Sequence, residues 1–154
     1  MCPEPPTPRN PGLPARLAGA LDAGPVAFVV VNRLLVIALG GILGSLGRFA
    51  VAEAVGPWDA GRLPWATLLV NVVGCLAIGM VAASAAVAAG PAWLRPFVIT
   101  GILGGFTTFS ALALETGLLM DAGRVGLAVG YVAATMVAGL LAVRLGVRVV
   151  AGRP

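Results

Sequence analysis

Histidine is absent from the 154 residues, and so is lysine: all ten basic residues are arginine. Without imidazole there is no histidine metal ligand and no His-based acid, base or nucleophile-activating partner. Charge of either sign is scarce, at 10% of residues against 59% apolar. Soluble domains run near a quarter charged, and a surface this poor in charge does not stay in water. Lipid is the natural solvent. The net charge is +4, but the arginines are scattered rather than gathered into a stripe, which argues against nucleic-acid binding. The two cysteines, Cys2 and Cys75, form neither a disulfide framework nor a zinc spacing. Cys75, inside an apolar run, reads as a small buried hydrophobe. No carboxylate pair, nucleophile–base pair or phosphate-cradling loop occurs. An enzyme is not expected.

Four long apolar runs make up most of the chain. Residues 1–25 are rich in Pro, Gly and Ala and read as a disordered tail outside the membrane. The first run is interrupted by Asn32 and Arg33, and its helix is expected over Arg33–Val55. The second, Leu63–Ala89, and the fourth, Val125–Val143, carry no charge. The third runs from Phe97 to Leu114 and continues past Glu115 to Met120. Each meets the roughly 20 residues needed to span a hydrocarbon core about 30 Å thick. The expected organisation is a four-helix transmembrane domain over residues 26–148, with a short tail at 149–154. Short connections force successive helices to run antiparallel. Four such helices leave little room for a pore within one subunit, so oligomerisation is expected. Small residues recur every three or four positions, among them Gly40, Gly44 and Gly47, as close helix packing in lipid requires.

Polar groups within an apolar span are costly and mark candidate sites. Asn71 sits in the second span, in Thr67-Leu-Leu-Val-Asn71-Val-Val-Gly74. Its amide either bonds a neighbouring helix or points a donor at an anion. The third span holds Thr100-Gly-Ile-Leu-Gly104-Gly105-Phe106-Thr107-Thr108-Phe109-Ser110. Such crowding of glycines and hydroxyls predicts an interruption near Gly104–Thr107. Backbone groups freed there must be satisfied by protein, ion or water, and discontinuous helices of this kind build ion sites. Phe109, Leu112 and Glu115 follow at i, i+3 and i+6, on one expected face. In the fourth span Tyr131, Thr135 and Gly139 fall at i, i+4 and i+8, aligning a phenol, a hydroxyl and a gap.

These stretches, with Gly40-Gly-Ile-Leu-Gly44-Ser-Leu-Gly-Arg48-Phe, resemble the Fluc (CrcB) family of fluoride channels over roughly Arg33 to Gly146. The resemblance implies an all-α, antiparallel dimer in the bacterial plasma membrane that exports fluoride, with a broken third helix and a structural sodium ion at the dimer centre. Gly104 and Thr107 would offer backbone carbonyls to the sodium. Asn71 and Phe109 would lie on the fluoride path, with Thr108, Ser110, Tyr131 and Thr135 along a polar track. Arg48 would sit in a vestibule and Glu115 beside the pore. The family's second pore phenylalanine is replaced by Leu112, which has no quadrupole edge to offer an anion.

Two other readings compete. A small proton-coupled exporter needs a titratable carboxylate in its cavity, and Glu115 is the candidate. A non-conducting assembly subunit has no use for a hydroxyl-rich interruption. A last expectation concerns orientation. The N-terminal tail, second loop and C-terminus share a side bearing Arg16, Arg33, Arg95, Arg144, Arg148 and Arg153. The other side bears Arg62 and Arg124, with Arg48 near it. The positive-inside rule places both termini in the cytoplasm, so this subunit is expected to insert mainly one way; its partner is either another copy or a paired paralogous chain.

Overall fold

The computed structural model describes residues 24–152, and side chains from Val29 onward. The expected N-terminal tail lies almost wholly outside the described residues, as does the end of the C-terminal tail. The chain divides at Asn32 into two units, and all packing described below lies within the second.

Every regular element among the described residues is helical. Helix α1 spans Gly24–Val55 and α2 spans Trp65–Ala83; α3 is one turn, Ala85–Ala88. A π-helical segment, Pro96–Leu103, leads into the short α4, Gly104–Phe106. Then come α5, Phe109–Asp121, and α6, Val125–Ala151. Four stretches are long and apolar enough to cross a membrane: Val29–Val55, Trp65–Ala83, Pro96–Asp121 and Val125–Ala151.

Several boundaries differ from expectation for local reasons. The first helix runs through Asn32 and Arg33, neither of which forbids helical backbone. The second span ends at Ala83 because Ser84 is extended (φ −76°, ψ 115°), and its Oγ accepts from the Val87 N–H at 3.4 Å. That is the preference of serine for helix N-caps. The last helix passes Arg144 and Arg148 to reach Ala151, so the segment from residue 149 begins as helix and not as a tail.

Between α1 and α2 the chain turns at Gly56, whose φ of 87° suits glycine. Asp59 then accepts from the Gly61 N–H and pairs with Arg62 at 2.8 Å. The Gly61 bond and the Arg62 guanidinium hold its carboxyl below the usual carboxylate range. The Trp58 indole N–H donates to the Arg62 carbonyl at 2.7 Å, closing the loop.

Helix α2 makes its most extensive contact with α6. Glycines set that distance. A Cβ on Gly79 would stand 2.3 Å from the Val143 carbonyl oxygen, and one on Gly146 would stand 2.3 Å from that of Leu76. Helix α1 meets the π-helical segment as closely. A Cβ on Gly40 would lie 2.4 Å from the Phe97 carbonyl oxygen, and one on Gly44 would lie 2.0 Å from that of Ile102. In lipid, where apolar side chains gain nothing by leaving the solvent, such close approach supplies the packing energy. A small core of Leu112, Leu119, Ala128 and Tyr131 ties α5 to α6.

Candidate functional site

The site forms where α4 gives way to α5. Helical turns run through Phe106; Thr107 (φ −78°, ψ 158°) and Thr108 (φ −150°, ψ 120°) are extended; helix resumes at Phe109. Threonine suits both roles here, since β-branching tolerates extended backbone and its hydroxyl can cap a helix. The Thr107 hydroxyl donates back to the Leu103 carbonyl at 2.9 Å. The Thr108 Oγ1 accepts from the Ala111 N–H at 3.1 Å, opening α5, and lies 3.1 Å from the Ser110 hydroxyl.

Asn71, buried on α2, faces this junction. Its Nδ2 donates to the Thr108 carbonyl at 3.0 Å, and its Oδ1 accepts from the Thr108 N–H at 2.8 Å. Of the two sequence readings, the bond to a neighbouring helical segment is therefore made. One Nδ2 hydrogen remains uncommitted by these two bonds.

These bonds redirect two ladder donors. The Thr108 N–H, which an unbroken α-helix would give to the Gly104 carbonyl, goes to Asn71. The Ala111 N–H, which would go to Thr107, goes to the Thr108 hydroxyl. The Gly104 and Thr107 carbonyls thus lose their usual i+4 partners.

A cleft of about 380 Å³ opens beside the junction. Asn71, Gly104, Thr107, Thr108, Phe109 and Thr135 are among its lining residues. Phe109, at the first turn of α5, is 76% exposed, whereas Leu112 is 3% exposed, in the core beneath it. Both touch the cleft, but from different depths, and Glu115 does not line it. The single face expected for these three residues is thus divided.

Glu115 lines a second cleft with Ser45, Arg48, Thr67 and Thr108. Its Oε1 accepts from the Thr67 hydroxyl at 2.7 Å and its Oε2 from the Tyr131 hydroxyl at 2.6 Å. Tyr131 is fully buried, so it is not the interfacial anchor that a lone membrane tyrosine suggests. The Thr135 hydroxyl donates to the Tyr131 carbonyl at 2.8 Å rather than to its phenol. Thr108 lines both clefts.

A family model described as "CrcB-like protein, Camphor Resistance (CrcB)" matches residues 35–147. The chain is 48% identical over 118 residues to the "Fluoride-specific ion channel FluC" of Paracoccus denitrificans, covering 77% of this chain and 94% of that protein. It is 42% identical over 106 residues to the protein of the same name from Rhodospirillum centenum, covering 68% and 84%. It is 47% identical over 118 residues to "Fluoride-specific ion channel FluC 2" of Nocardia farcinica, covering 73% and 81%.

This chain belongs to the CrcB family. With its four apolar spans it is a multi-pass membrane protein. The names of its CrcB relatives are those of ion channels rather than of enzymes.

Sequence reasoning overlooked Thr67 as a site residue. The signal was available: Thr67, Asn71 and Gly74 fall at i, i+4 and i+7, so the buried face of α2 carries the Glu115 partner one turn before the Thr108 partner. Cys75, which also borders the first cleft, carries no such signal.

Proposed function

We propose that this chain is a fluoride-specific ion channel that lets fluoride leave the cytoplasm, working as an antiparallel dimer with either a second copy or a paired paralogous chain. The extended Thr107–Thr108 pair inside an apolar span, opening on a cleft beside an exposed Phe109, is the observation that carries the reading. The names of the family relatives supply the ion.

Fluoride is small and strongly hydrated, so removing its water in a low-dielectric path costs far more than burying a neutral polar group. Donors must replace that water. The remaining Asn71 amide hydrogen, the one hydroxyl hydrogen left over by the Thr108–Ser110 pair and the positive edge of the Phe109 ring are the groups available, while the Thr135 hydroxyl would have to turn from the Tyr131 carbonyl to join them. A neutral donor-lined path also releases the ion, as conduction requires. The cleft bearing Arg48 and Glu115 serves as the vestibule, and Thr108, shared by both clefts, joins it to the path.

The carbonyls of Gly104 and Thr107 are acceptors relieved of ladder partners, and hard cations bind oxygen ligands of that kind. They fit a sodium site completed by a second subunit. No group of three or more His, Cys, Asp or Glu among the described residues offers an alternative. A bound cation would supply fixed positive charge near the path.

The test is fluoride efflux from liposomes holding the purified chain, with chloride as control and with sodium present or withheld. Rapid fluoride-selective efflux is expected. Equal chloride flux, or fluoride movement only when a proton gradient drives it, would replace the channel with a less selective pore or with a coupled exporter.

A further inference from the structure

We propose that Asn71 is first a positioning residue, a side-chain clasp that selects the extended state of Thr108 and so decides where the third span is interrupted and where Phe109 stands. A helical residue points its N–H and its C=O in opposite directions along the axis. An extended residue points both to the same side, which is why strands pair through them. A primary amide presents one acceptor and one donor side by side, and so matches an extended residue but not a helical one. Asn71 makes that match: Oδ1 takes the Thr108 N–H at 2.8 Å and Nδ2 reaches the Thr108 carbonyl at 3.0 Å, with Thr108 at φ −150°, ψ 120°.

The two partners are 37 residues apart in sequence and both buried. A buried N–H and C=O left without partners would each carry the full penalty of lost hydration, so the extended conformation needs this amide or an equivalent. The helical alternative is close at hand. Returning Thr108 to helix would give its N–H to the Gly104 carbonyl and rebuild one ladder through the span. Asn71 tips that choice. The consequences pass along the chain: with Thr108 extended, its hydroxyl caps α5 at Ala111 and Phe109 becomes the exposed first residue of that helix. The clasp is independent of which ion crosses.

The test uses the full chain in detergent, in fluoride-free buffer, with Phe109 replaced by 4-fluorophenylalanine as a fluorine NMR reporter. Asn71→Leu keeps the shape of the side chain but offers the Thr108 peptide neither acceptor nor donor; Asn71→Ala removes the side chain and both partners. Both variants are expected to move the Phe109 fluorine resonance although no fluoride is present. An unchanged resonance in Asn71→Leu would mean that Asn71 acts only on the ion, and would overturn the clasp. A second measurement needs no variant. In the unmutated chain the Thr108 amide proton, outside any helical ladder, is expected to exchange as slowly as the interior amides of α5. Exchange at the rate of an unbonded loop amide would also overturn it. A chain that passes both measurements yet moves no fluoride in liposomes loses the channel reading and keeps the clasp.

Discussion

Leu112 and Phe109 stand three residues apart on α5, and their surroundings predict opposite responses to truncation. Leu112 packs with Tyr131, Leu119 and Ala128, so Leu112→Ala is expected to cost about 2–5 kcal/mol of stability, read as an earlier unfolding midpoint in detergent. Phe109 is exposed and holds little together. Phe109→Ala is expected to leave the midpoint within about 0.5 kcal/mol of the original. Fluoride efflux should nonetheless slow about tenfold, the equivalent of losing an aromatic contact worth about 1.4 kcal/mol. Efflux at the original rate from Phe109→Ala would remove the ring from the path. At this scale the sequence named these residues and left their depth open. A spacing of three places two side chains on one side of a helix; it does not say that one meets the next helix while the other, a turn nearer the helix start, overhangs a cleft. Asn71 shows the same limit. Its two readings were equivalent in sequence because the partner, the Thr108 backbone, is 37 residues away.

Helical elements were legible from apolar length alone, and their irregularities were legible only in part. Glycines and hydroxyls pointed to the region of Gly104–Thr107, but nothing in Pro96–Leu103 announced π-helical turns. Glycine periodicity was also ambiguous, since every small residue in an apolar run looks alike. The structure separates them. A Cβ on Gly79 would sit 2.3 Å from the backbone of Val143, while one on Gly130 would meet nothing within 4 Å. Gly79→Ala is therefore expected to force α2 and α6 apart and to reduce the folded fraction on size-exclusion chromatography. Gly130→Ala is expected to elute as the original does. Similar profiles for both would show that the α2–α6 spacing gives way freely.

For the molecule as a whole, the arginine distribution predicts biased insertion. Arg33, Arg95, Arg144 and Arg148 fall on the side of the termini, against Arg62 and Arg124 on the other, and arginine-rich flanks are retained in the cytoplasm. Reporters fused to the C-terminus are expected to report a cytoplasmic location in most molecules. Equal signals from both sides would mark a chain that inserts either way and pairs with itself. One-way insertion has a different requirement: an antiparallel partner must then be a second chain with the opposite bias. Four spans and membrane residence could be read from composition, because lipid imposes length and polarity on every segment alike. The face a second subunit would take could not, because in lipid a face that meets protein and a face that meets the bilayer can both be apolar.

The contact between α1 and the π-helical segment works as a gear. Phe97 and Ile102, five residues apart, set their carbonyls on Gly40 and Gly44, four residues apart. A wide turn on one rod thus keeps step with an ordinary turn on the other. Tooth spacing of that kind counts residues. Deleting one from Pro96–Leu103 would let the segment tighten to ordinary turns and still mesh, since four would then face four. Adding one would leave the surplus no place in the mesh, and the slip would be carried down the rod to Thr108, six residues beyond the last tooth, where the Asn71 amide waits for one particular peptide. An insertion would therefore be absorbed in the loops of this chain and transmitted in its third span.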